Sequence, residues 1–152
     1  MIHWGIIGAG NIAHRFAKSL SHDKRAKLYA VACRTLEKAD AFRQEFPCDK
    51  IYDDYQELLN DENVDIVYIA VPHFYHYEWV IKALKAHKAV LCEKPAVLTK
   101  KQMEDIITVA RQEDMLFMEA MKTNLVPGFI KLKEFVDLGI IGKVKEVSGS
   151  FC

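Results

Sequence analysis

Residues 2–13 read IHWGIIGAGNIA, and this stretch decides the fold. Ile2–Ile7 is a short, mainly apolar run, which predicts a buried β-strand. The glycine-rich turn Gly8-Ala9-Gly10 follows at once, and residues 11–20 then have the apolar spacing of a helix. A strand, a tight turn and a helix in this order are typical of α/β proteins, in which helices cover a parallel sheet.

The alternation of strand and helix continues to about residue 121. Strands joined by right-handed helical crossovers form a parallel sheet with helices on both faces, so we predict an α/β fold with a doubly wound parallel sheet. Six strands allow the order 3-2-1-4-5-6, in which ligands bind where the order reverses, between strands one and four. The later strands are predicted over residues 28–33, 51–52, 66–71, 89–92 and 115–118, and the later helices over residues 35–46, 55–59, 75–86 and 99–113.

The turn after the first strand has the pattern of a phosphate-binding loop. Residues 8–13, GAGNIA, fit G-x-G-x-x-G/A between a strand and a helix. In this pattern Gly8 permits the tight turn, Gly10 lets the backbone approach a pyrophosphate, and Ala13 lets the helix pack close to the strand. Unpaired N–H groups at the helix start also favour phosphate. The motif predicts dinucleotide binding, and a glycine-rich turn in a doubly wound fold with another ligand, or none, is the alternative.

The end of the second strand indicates which dinucleotide is bound. An NAD site usually has an acidic residue about 20 residues after the glycine motif, where it bonds the ribose 2′-hydroxyl. This chain has Cys33-Arg34-Thr35 there, and Lys38 follows one helical turn later. Arg34 can bind a 2′-phosphate with two hydrogen bonds, and Lys38 can add positive charge. The sequence therefore favours NADP over NAD, and solvated surface charges are the alternative for Arg34 and Lys38.

A lysine follows the fifth strand, in the segment Cys92-Glu93-Lys94-Pro95. Because the carboxyl ends of parallel strands meet at one edge of the sheet, we expect Lys94 to face the crevice that would receive a nicotinamide ring. Its ammonium could hydrogen-bond a substrate hydroxyl or carbonyl and stabilise charge on that oxygen. Lys94 is therefore the candidate catalytic residue, and a surface lysine before a turn proline is the alternative.

Histidines and aromatic residues follow the fourth strand. His73 and His76 are three residues apart and could in principle share a metal ion, but the sequence places no third ligand, so no metal site is predicted. Tyr75, Tyr77 and Trp79 are interpreted as helix packing, because no basic groove accompanies them as it would in a nucleic-acid site.

The composition excludes several classes of protein. The chain has 152 residues, of which 51% are hydrophobic, with 21 basic and 21 acidic side chains. A net charge of zero leaves no excess of lysine and arginine to follow phosphates, so we expect no nucleic-acid or membrane partner. No apolar run is long enough to span a membrane, and the four cysteines form no disulfide or zinc pattern. A reduced, cytoplasmic protein with a small-molecule substrate is expected.

The pattern changes after Met121. Pro127 opens an amphipathic helix, and Val144–Cys152 has the pattern of a strand. A strand with no later partner in the sequence indicates the first part of a longer protein, and a short complete domain with a C-terminal edge strand is the alternative. We therefore predict a dinucleotide-binding domain over residues 1–121. Residues 122–152 are predicted to be a linking helix and the first strand of a second, α+β domain.

Three spaced motifs resemble one family of oxidoreductases. They are WGIIGAGNIA (residues 4–13), AVPHFYH (residues 70–76) and CEKP (residues 92–95). The chain is similar in these motifs to the glucose-fructose oxidoreductase, inositol dehydrogenase and MocA family. The run FMEAM, residues 117–121, resembles the branch with dimeric dihydrodiol dehydrogenases and related NADP-dependent sugar reductases. The resemblance implies a Rossmann fold, hydride transfer to or from a sugar, polyol or related hydroxyl or carbonyl compound, and a homo-oligomeric full-length protein.

The same resemblance assigns residues to the cofactor and to the reaction. Lys94 corresponds to the family's catalytic lysine, with Glu93 beside it at the reacting ring and a cis peptide bond before Pro95. The pyrophosphate would be contacted by Gly8, Ala9, Asn11 and Ile12. The 2′-phosphate region would be contacted by Cys33, Arg34, Thr35 and Lys38. The nicotinamide side would be lined by Ala70, Val71, Pro72, His73 and His76.

Two departures from the family pattern bear on function. The branch commonly follows its Met-Glu-Ala-Met run with Trp-Thr-Arg, whereas this chain has Lys122-Thr123-Asn124, which leaves the substrate open. Family members also continue for about another domain, which supplies the proton donor and much of the substrate pocket. We therefore expect little turnover from these 152 residues alone. The alternative function is a non-catalytic, dinucleotide-binding regulatory protein of the same family. A third candidate function is the NAD-dependent cleavage of glycosidic bonds, which is disfavoured because the acidic residue that would bond the ribose is missing.

Overall fold

A six-stranded parallel sheet organises residues 1–120 of the computed structural model, which describes residues 1–150. The strand order is β3-β2-β1-β4-β5-β6, with every neighbouring pair parallel. The predicted fold class and strand order are confirmed, and the order reverses between β1 and β4. The strands are β1 Ile2–Ile7, β2 Ala26–Ala32, β3 Lys50–Tyr52, β4 Ile66–Ile69, β5 Ala89–Cys92 and β6 Phe117–Glu119.

Helices connect the strands and begin where the sequence supplies caps. The side chains of Thr35, Asp54 and Thr99 accept N–H groups from the first turns of three of them. Thr99 and Gln102 have the spacing of a capping box, which is partly formed: Gln102 donates its N–H to Thr99 Oγ1 at 3.2 Å, while its own side chain accepts the N–H of Leu98. The helices are α1 Asn11–Leu20, α2 Leu36–Glu45, α3 Tyr55–Asn60, α4 His76–Lys85, α5 Lys100–Gln112 and α6 Pro127–Asp137.

Each face of the sheet has its own apolar core, because successive residues of a strand point to opposite sides. Ile6 packs with Phe42 of α2 and with Ala13 of α1. Its neighbour Ile7 belongs to the other core, with residues of α3, α4 and α5. Ala13 is fully buried, which agrees with its predicted role as the small residue that lets α1 lie close to the sheet.

Several boundaries differ from the predicted ones by one or two residues, and the two that matter most near the site are the end of β4 and the start of β6. β4 ends at Ile69, two residues earlier than predicted, because Pro72 has no N–H for a strand ladder and the chain turns there. A 3₁₀ turn, His73–Tyr75, precedes α4. β6 begins at Phe117, two residues later than predicted, because the N–H of Met115 still bonds the carbonyl of Ala110 at the end of α5.

Residues 121–150 belong to a second compact unit. It contains a 3₁₀ turn, Lys122–Leu125, and the helix α6, with Pro127 in the first turn as predicted. The strand predicted from Val144 is not formed over residues 144–150, because no other extended segment occurs in residues 121–150 to pair with it. Residues 151 and 152 lie outside the described part of the chain. The assignment of residues 122–152 to a second domain stays a prediction.

Candidate functional site

A cavity of about 620 Å³ opens at the carboxyl ends of β1, β2 and β4. It lies where the strand order reverses, which is the ligand site of doubly wound folds, and its volume suits a small-molecule ligand. Nine of the predicted cofactor-binding residues line it: Gly8, Ala9, Gly10, Cys33, Arg34, Lys38, Ala70, Val71 and Pro72.

Gly8 allows the end of β1 to lie against the end of β4. Its φ is +94°, and a Cβ atom there would lie 2.8 Å from the carbonyl oxygen of Ala70. Gly10 differs, because a Cβ atom there would meet nothing within 4 Å. Gly10 also precedes α1 without a side-chain cap, which leaves the first N–H groups of the helix available to an anion. The turn therefore combines a close backbone contact with an open place for phosphate.

The segment from the end of β2 to the first turn of α2 presents two cations and a neutral thiol. Arg34 and Lys38 are exposed and line the cavity. Cys33 is buried, and burial raises the pKa of its thiol, which therefore carries no charge at neutral pH. Thr35 accepts the N–H of Lys38 at 3.4 Å as the cap of α2. The position that is acidic in many NAD sites thus has no negative charge, although Glu37, whose pKa is lowered by hydrogen bonds from its own N–H and from Thr35, lies nearby.

An aromatic wall completes the cavity, formed by Tyr55, Tyr75 and Trp79 together with Glu78. The rings of Tyr55 and Trp79 meet edge to face with centroids 5.0 Å apart, and the ammonium of Lys82 lies 4.2 Å from the Trp79 ring. Tyr77 and Trp79 pack against the apolar core, as predicted, but the place of Tyr75 and Trp79 in the cavity was not predicted. Their spacing with Glu78 was the available signal, since residues three and four positions apart lie on one face of a helix, here at the start of α4.

Glu93 and Lys94 follow β5 and are not among the residues that line this cavity. The Lys94–Pro95 peptide bond is cis, as the resemblance implies. Glu93 accepts the phenolic O–H of Tyr68 at 2.5 Å and the N–H of Lys94 at 3.2 Å. Burial and the hydrogen bond to Glu93 raise the pKa of the Tyr68 phenol. Both carboxylate oxygens of Glu93 are therefore engaged, whereas the Lys94 side chain is exposed.

His76 is buried between two backbone carbonyl groups. Its Nδ1 lies 2.8 Å from the carbonyl oxygen of Pro95, and its Nε2 lies 2.8 Å from that of Val71. The ring thus joins the end of β4 to the turn after β5 and does not line the cavity. His73 is exposed, with its ring 4.8 Å from that of Phe74.

Three other predicted residues, Asn11, Ile12 and Thr35, are exposed at the first turns of α1 and α2 and do not line the cavity. The individual cofactor contacts assigned from the sequence stay predictions. Within residues 1–150 no three His, Cys, Asp or Glu side chains are placed to hold a metal ion. The same residues include no helix of the length and apolarity needed to cross a bilayer.

The strand order, the glycine turn and the cavity at the reversal define a Rossmann domain of the class that binds dinucleotides. Residues 2–121 match the model of the GFO_IDH_MocA family, an oxidoreductase family with an NAD-binding Rossmann fold. The chain belongs to this family, and the resemblance noted in the sequence is confirmed.

Several dehydrogenases are similar in sequence to nearly the whole chain. Trans-1,2-dihydrobenzene-1,2-diol dehydrogenase of Mus musculus is 36% identical over 99% of this chain and 46% of its own length. D-xylose 1-dehydrogenase (NADP(+)) of Hypocrea jecorina is 37% identical, over 94% of this chain and 40% of its own. The scyllo-inositol 2-dehydrogenase (NADP(+)) IolU of Bacillus subtilis is 36% identical, over 100% of this chain and 46% of its own.

Solved structures of oxidoreductases are also similar to nearly the whole chain. KijD10, a 3-ketoreductase from Actinomadura kijaniata in complex with NADP and TDP-benzene, superposes with a TM-score of 0.85 at 33% identity, over 93% of this chain and 44% of that one. The scyllo-inositol dehydrogenase of Lactobacillus casei with bound NAD(H) and scyllo-inositol gives 0.86 at 26% identity, over 94% and 43%. The chain therefore spans less than half the length of these relatives.

Proposed function

We propose that this chain is the cofactor-binding part of an NADP(H)-dependent oxidoreductase, which transfers a hydride between nicotinamide and a sugar, polyol or related hydroxyl or carbonyl compound. The observation that carries the proposal is the cavity at the reversal of strand order, which is lined by Arg34 just after β2 and by Lys38 in the first turn of α2, with no acid at residues 33–35. The named NADP(+)-dependent relatives support the same cofactor, while NAD(H) in one structural neighbour keeps NAD as the second choice.

The residues of the cavity fit a dinucleotide that carries a 2′-phosphate. The open space at Gly10 and the uncapped start of α1 would receive the pyrophosphate. Arg34 and Lys38 would hold the 2′-phosphate, because guanidinium and ammonium groups neutralise its charge and donate hydrogen bonds to it. Tyr55 and Trp79 offer apolar ring surface for the adenine base.

Lys94 would act on the substrate oxygen. A nicotinamide, when bound, supplies the acceptor or donor of the hydride. The ammonium of Lys94 would donate a hydrogen bond to a carbonyl oxygen during reduction and would stabilise negative charge on a hydroxyl oxygen during oxidation. No group within residues 1–150 bonds to this ammonium, so its hydrogen-bonding capacity is available to a substrate.

The proposal extends to the longer protein. Residues 1–121 would be the cofactor domain, and residues 122–152 would begin a second domain that completes the substrate pocket and forms a homo-oligomer. A small-molecule substrate, no nucleic-acid partner and a cytoplasmic location belong to the same proposal.

A fluorescence titration with NADPH and with NADH tests the cofactor assignment. We expect tighter binding of NADPH, and we expect Arg34→Ala to weaken it by about 10- to 100-fold, the effect of losing a charge-assisted hydrogen bond. The affinity for NADH should change little. Arg111→Ala, which removes an exposed arginine of α5, is the matched control. Binding of neither dinucleotide, or a preference that does not depend on Arg34, would overturn the assignment.

A further inference from the structure

The turn that carries Lys94 is held by side chains from three different elements. Tyr68 of β4 donates to the carboxylate of Glu93, which precedes Lys94. The ring of His76 in α4 lies against the carbonyl oxygen of Pro95, the residue after Lys94. Glu119, the last residue of β6, accepts the N–H of Ala96 through Oε1 at 2.8 Å. The backbone N–H of Glu93 also bonds the carbonyl of Ile69 at 3.0 Å, so the residues on both sides of Lys94 are held from outside the turn.

The position of the Lys94 ammonium depends on this backbone. Within residues 1–150 no side chain pairs with the ammonium, and the Lys94 side chain is exposed. The direction in which it leaves the main chain is thus set by the peptide groups of Pro95 and Ala96 on one side and by Glu93 on the other. A displacement of these peptides would carry the ammonium with it.

Glu119 reaches the turn because β6 continues the sheet to the end of β5. Glu119 pairs in register with Cys92, and Ala120 donates its N–H to the carbonyl of Cys92 at 2.7 Å. Ala96 is fully buried, so its N–H needs an acceptor inside the protein. A carboxylate makes a stronger bond to such an N–H than a neutral group does. Glu119 lies in the FMEAM run, to which no role has been given above.

We propose that Glu119 is a positioning residue for Lys94 that acts through the Pro95–Ala96 peptide. The proposal rests on the proposed function, in which Lys94 polarises the substrate oxygen. Removal of the carboxylate frees the Ala96 N–H and lets the turn shift. A misplacement of about 1 Å at a reacting group lowers a rate by up to about 100-fold, even when the change lies away from the chemistry.

The first test needs no activity and uses this chain itself. Hydrogen exchange of the Ala96 amide is measured by NMR in the parent and in Glu119→Ala, with Glu104→Ala on the exposed face of α5 as the control. We expect exchange to become at least about tenfold faster in Glu119→Ala, the equivalent of one lost charge-assisted bond. Glu119→Gln keeps an acceptor oxygen and should stay near the parent. Unchanged exchange in Glu119→Ala would overturn the proposal.

The second test uses the longer enzyme that contains this chain. Glu119→Ala should lower kcat by about 10- to 100-fold with an unchanged Kd for NADPH, and Glu119→Gln should restore most of kcat. A parallel loss of dinucleotide affinity, kcat and thermal stability would show a merely structural role and would refute the positioning role. If Glu119→Ala fails to fold, Glu119→Asp keeps the charge with a shorter reach, and the same split between kcat and Kd is expected.

Failure of the proposed function gives a different result. In that case Lys94→Ala would keep its turnover, or no dinucleotide would bind, whatever the exchange rate of Ala96. Failure of the present inference leaves Lys94→Ala inactive and Glu119→Ala fully active.

Discussion

Tyr68 and Glu93 join the ends of two neighbouring strands through a hydrogen bond of 2.5 Å from the phenol to the carboxylate. Tyr68 is buried, and its ring stacks on that of Phe16 in α1 with centroids 3.9 Å apart. The helix that follows the glycine turn is thereby connected, through one tyrosine, to the segment that carries Lys94. The two parts of the proposed site share a buried link.

Tyr68→Phe should lower the free energy of unfolding by about 1–3 kcal/mol, because the half-buried Glu93 carboxylate loses its phenolic donor. The ring stacking on Phe16 would be kept, so the loss reports the hydrogen bond. Urea unfolding measures the change. Tyr75→Phe, at an exposed tyrosine of the cavity, is the control, and an equal loss in both variants would contradict the expectation.

Gly8→Ala should lower the stability of the protein, whereas Gly10→Ala should lower its affinity for NADPH. At Gly8 the positive φ and the carbonyl of Ala70 leave no room for a methyl group, so we expect a loss of about 1–3 kcal/mol in unfolding free energy. At Gly10 the space is open, so stability should hardly change, while the added methyl group would occupy the place proposed for the pyrophosphate and weaken NADPH binding. Thermal unfolding and dinucleotide titration of both variants separate the two roles. Stable Gly8→Ala protein, or undiminished NADPH binding by Gly10→Ala, would count against this division.

Lys94→Ala in the longer enzyme should reduce turnover by about 100-fold or more, the range of a lost acid–base group. Dinucleotide affinity should change little, because Lys94 does not line the cavity. Steady-state kinetics with a panel of sugars and polyols measure the effect, with exposed Lys100→Ala as the control.

The same assay distinguishes the alternative function. The unmodified enzyme is tested with every alcohol and carbonyl compound of the panel. If none of them causes oxidation or reduction of the cofactor, the non-catalytic regulatory protein becomes the better explanation. Unaltered turnover in Lys94→Ala would instead remove Lys94 from the mechanism.

Trp79 should report the bound dinucleotide. It lines the cavity, whereas Trp4 packs on Phe16 with ring centroids 5.1 Å apart and is not among the lining residues. We expect Trp79→Phe to abolish most of the change in tryptophan fluorescence on NADPH addition and Trp4→Phe to keep it. A change that follows Trp4 would place the ligand elsewhere.

The parts of the site that depend on residues close together in the sequence could be predicted. The bounds of β1 and α1 were predicted correctly, because Gly8-Ala9-Gly10 interrupts two periodic segments at a backbone geometry that glycine permits. The aromatic wall was missed, because a ring at helical spacing looks the same whether it packs on the core or lines a cavity. Tyr55 reaches the wall from a separate element, which the sequence pattern does not reveal.

Contacts between distant residues were the hardest to foresee. The two partners of the His76 ring, the carbonyls of Val71 and Pro95, were not predicted, because the rotation of a side chain leaves no trace in sequence spacing. The bond between Ala96 and Glu119 spans 23 residues and depends on the register of β5 with β6. Such contacts are defined only when the sheet is assembled.

The exposure of Arg34 and Lys38 separates the proposed contacts to the 2′-phosphate from the integrity of the fold. Within residues 1–150 neither cation hydrogen-bonds to another side chain, whereas Gly8 is fixed by the backbone of β4. Substitutions at the rim of β2 can therefore accumulate without disturbing either core. Under the proposed assignment of these two residues to the 2′-phosphate, a descendant of this chain, natural or engineered, could exchange one nicotinamide dinucleotide for the other through two surface positions while its scaffold stays the same.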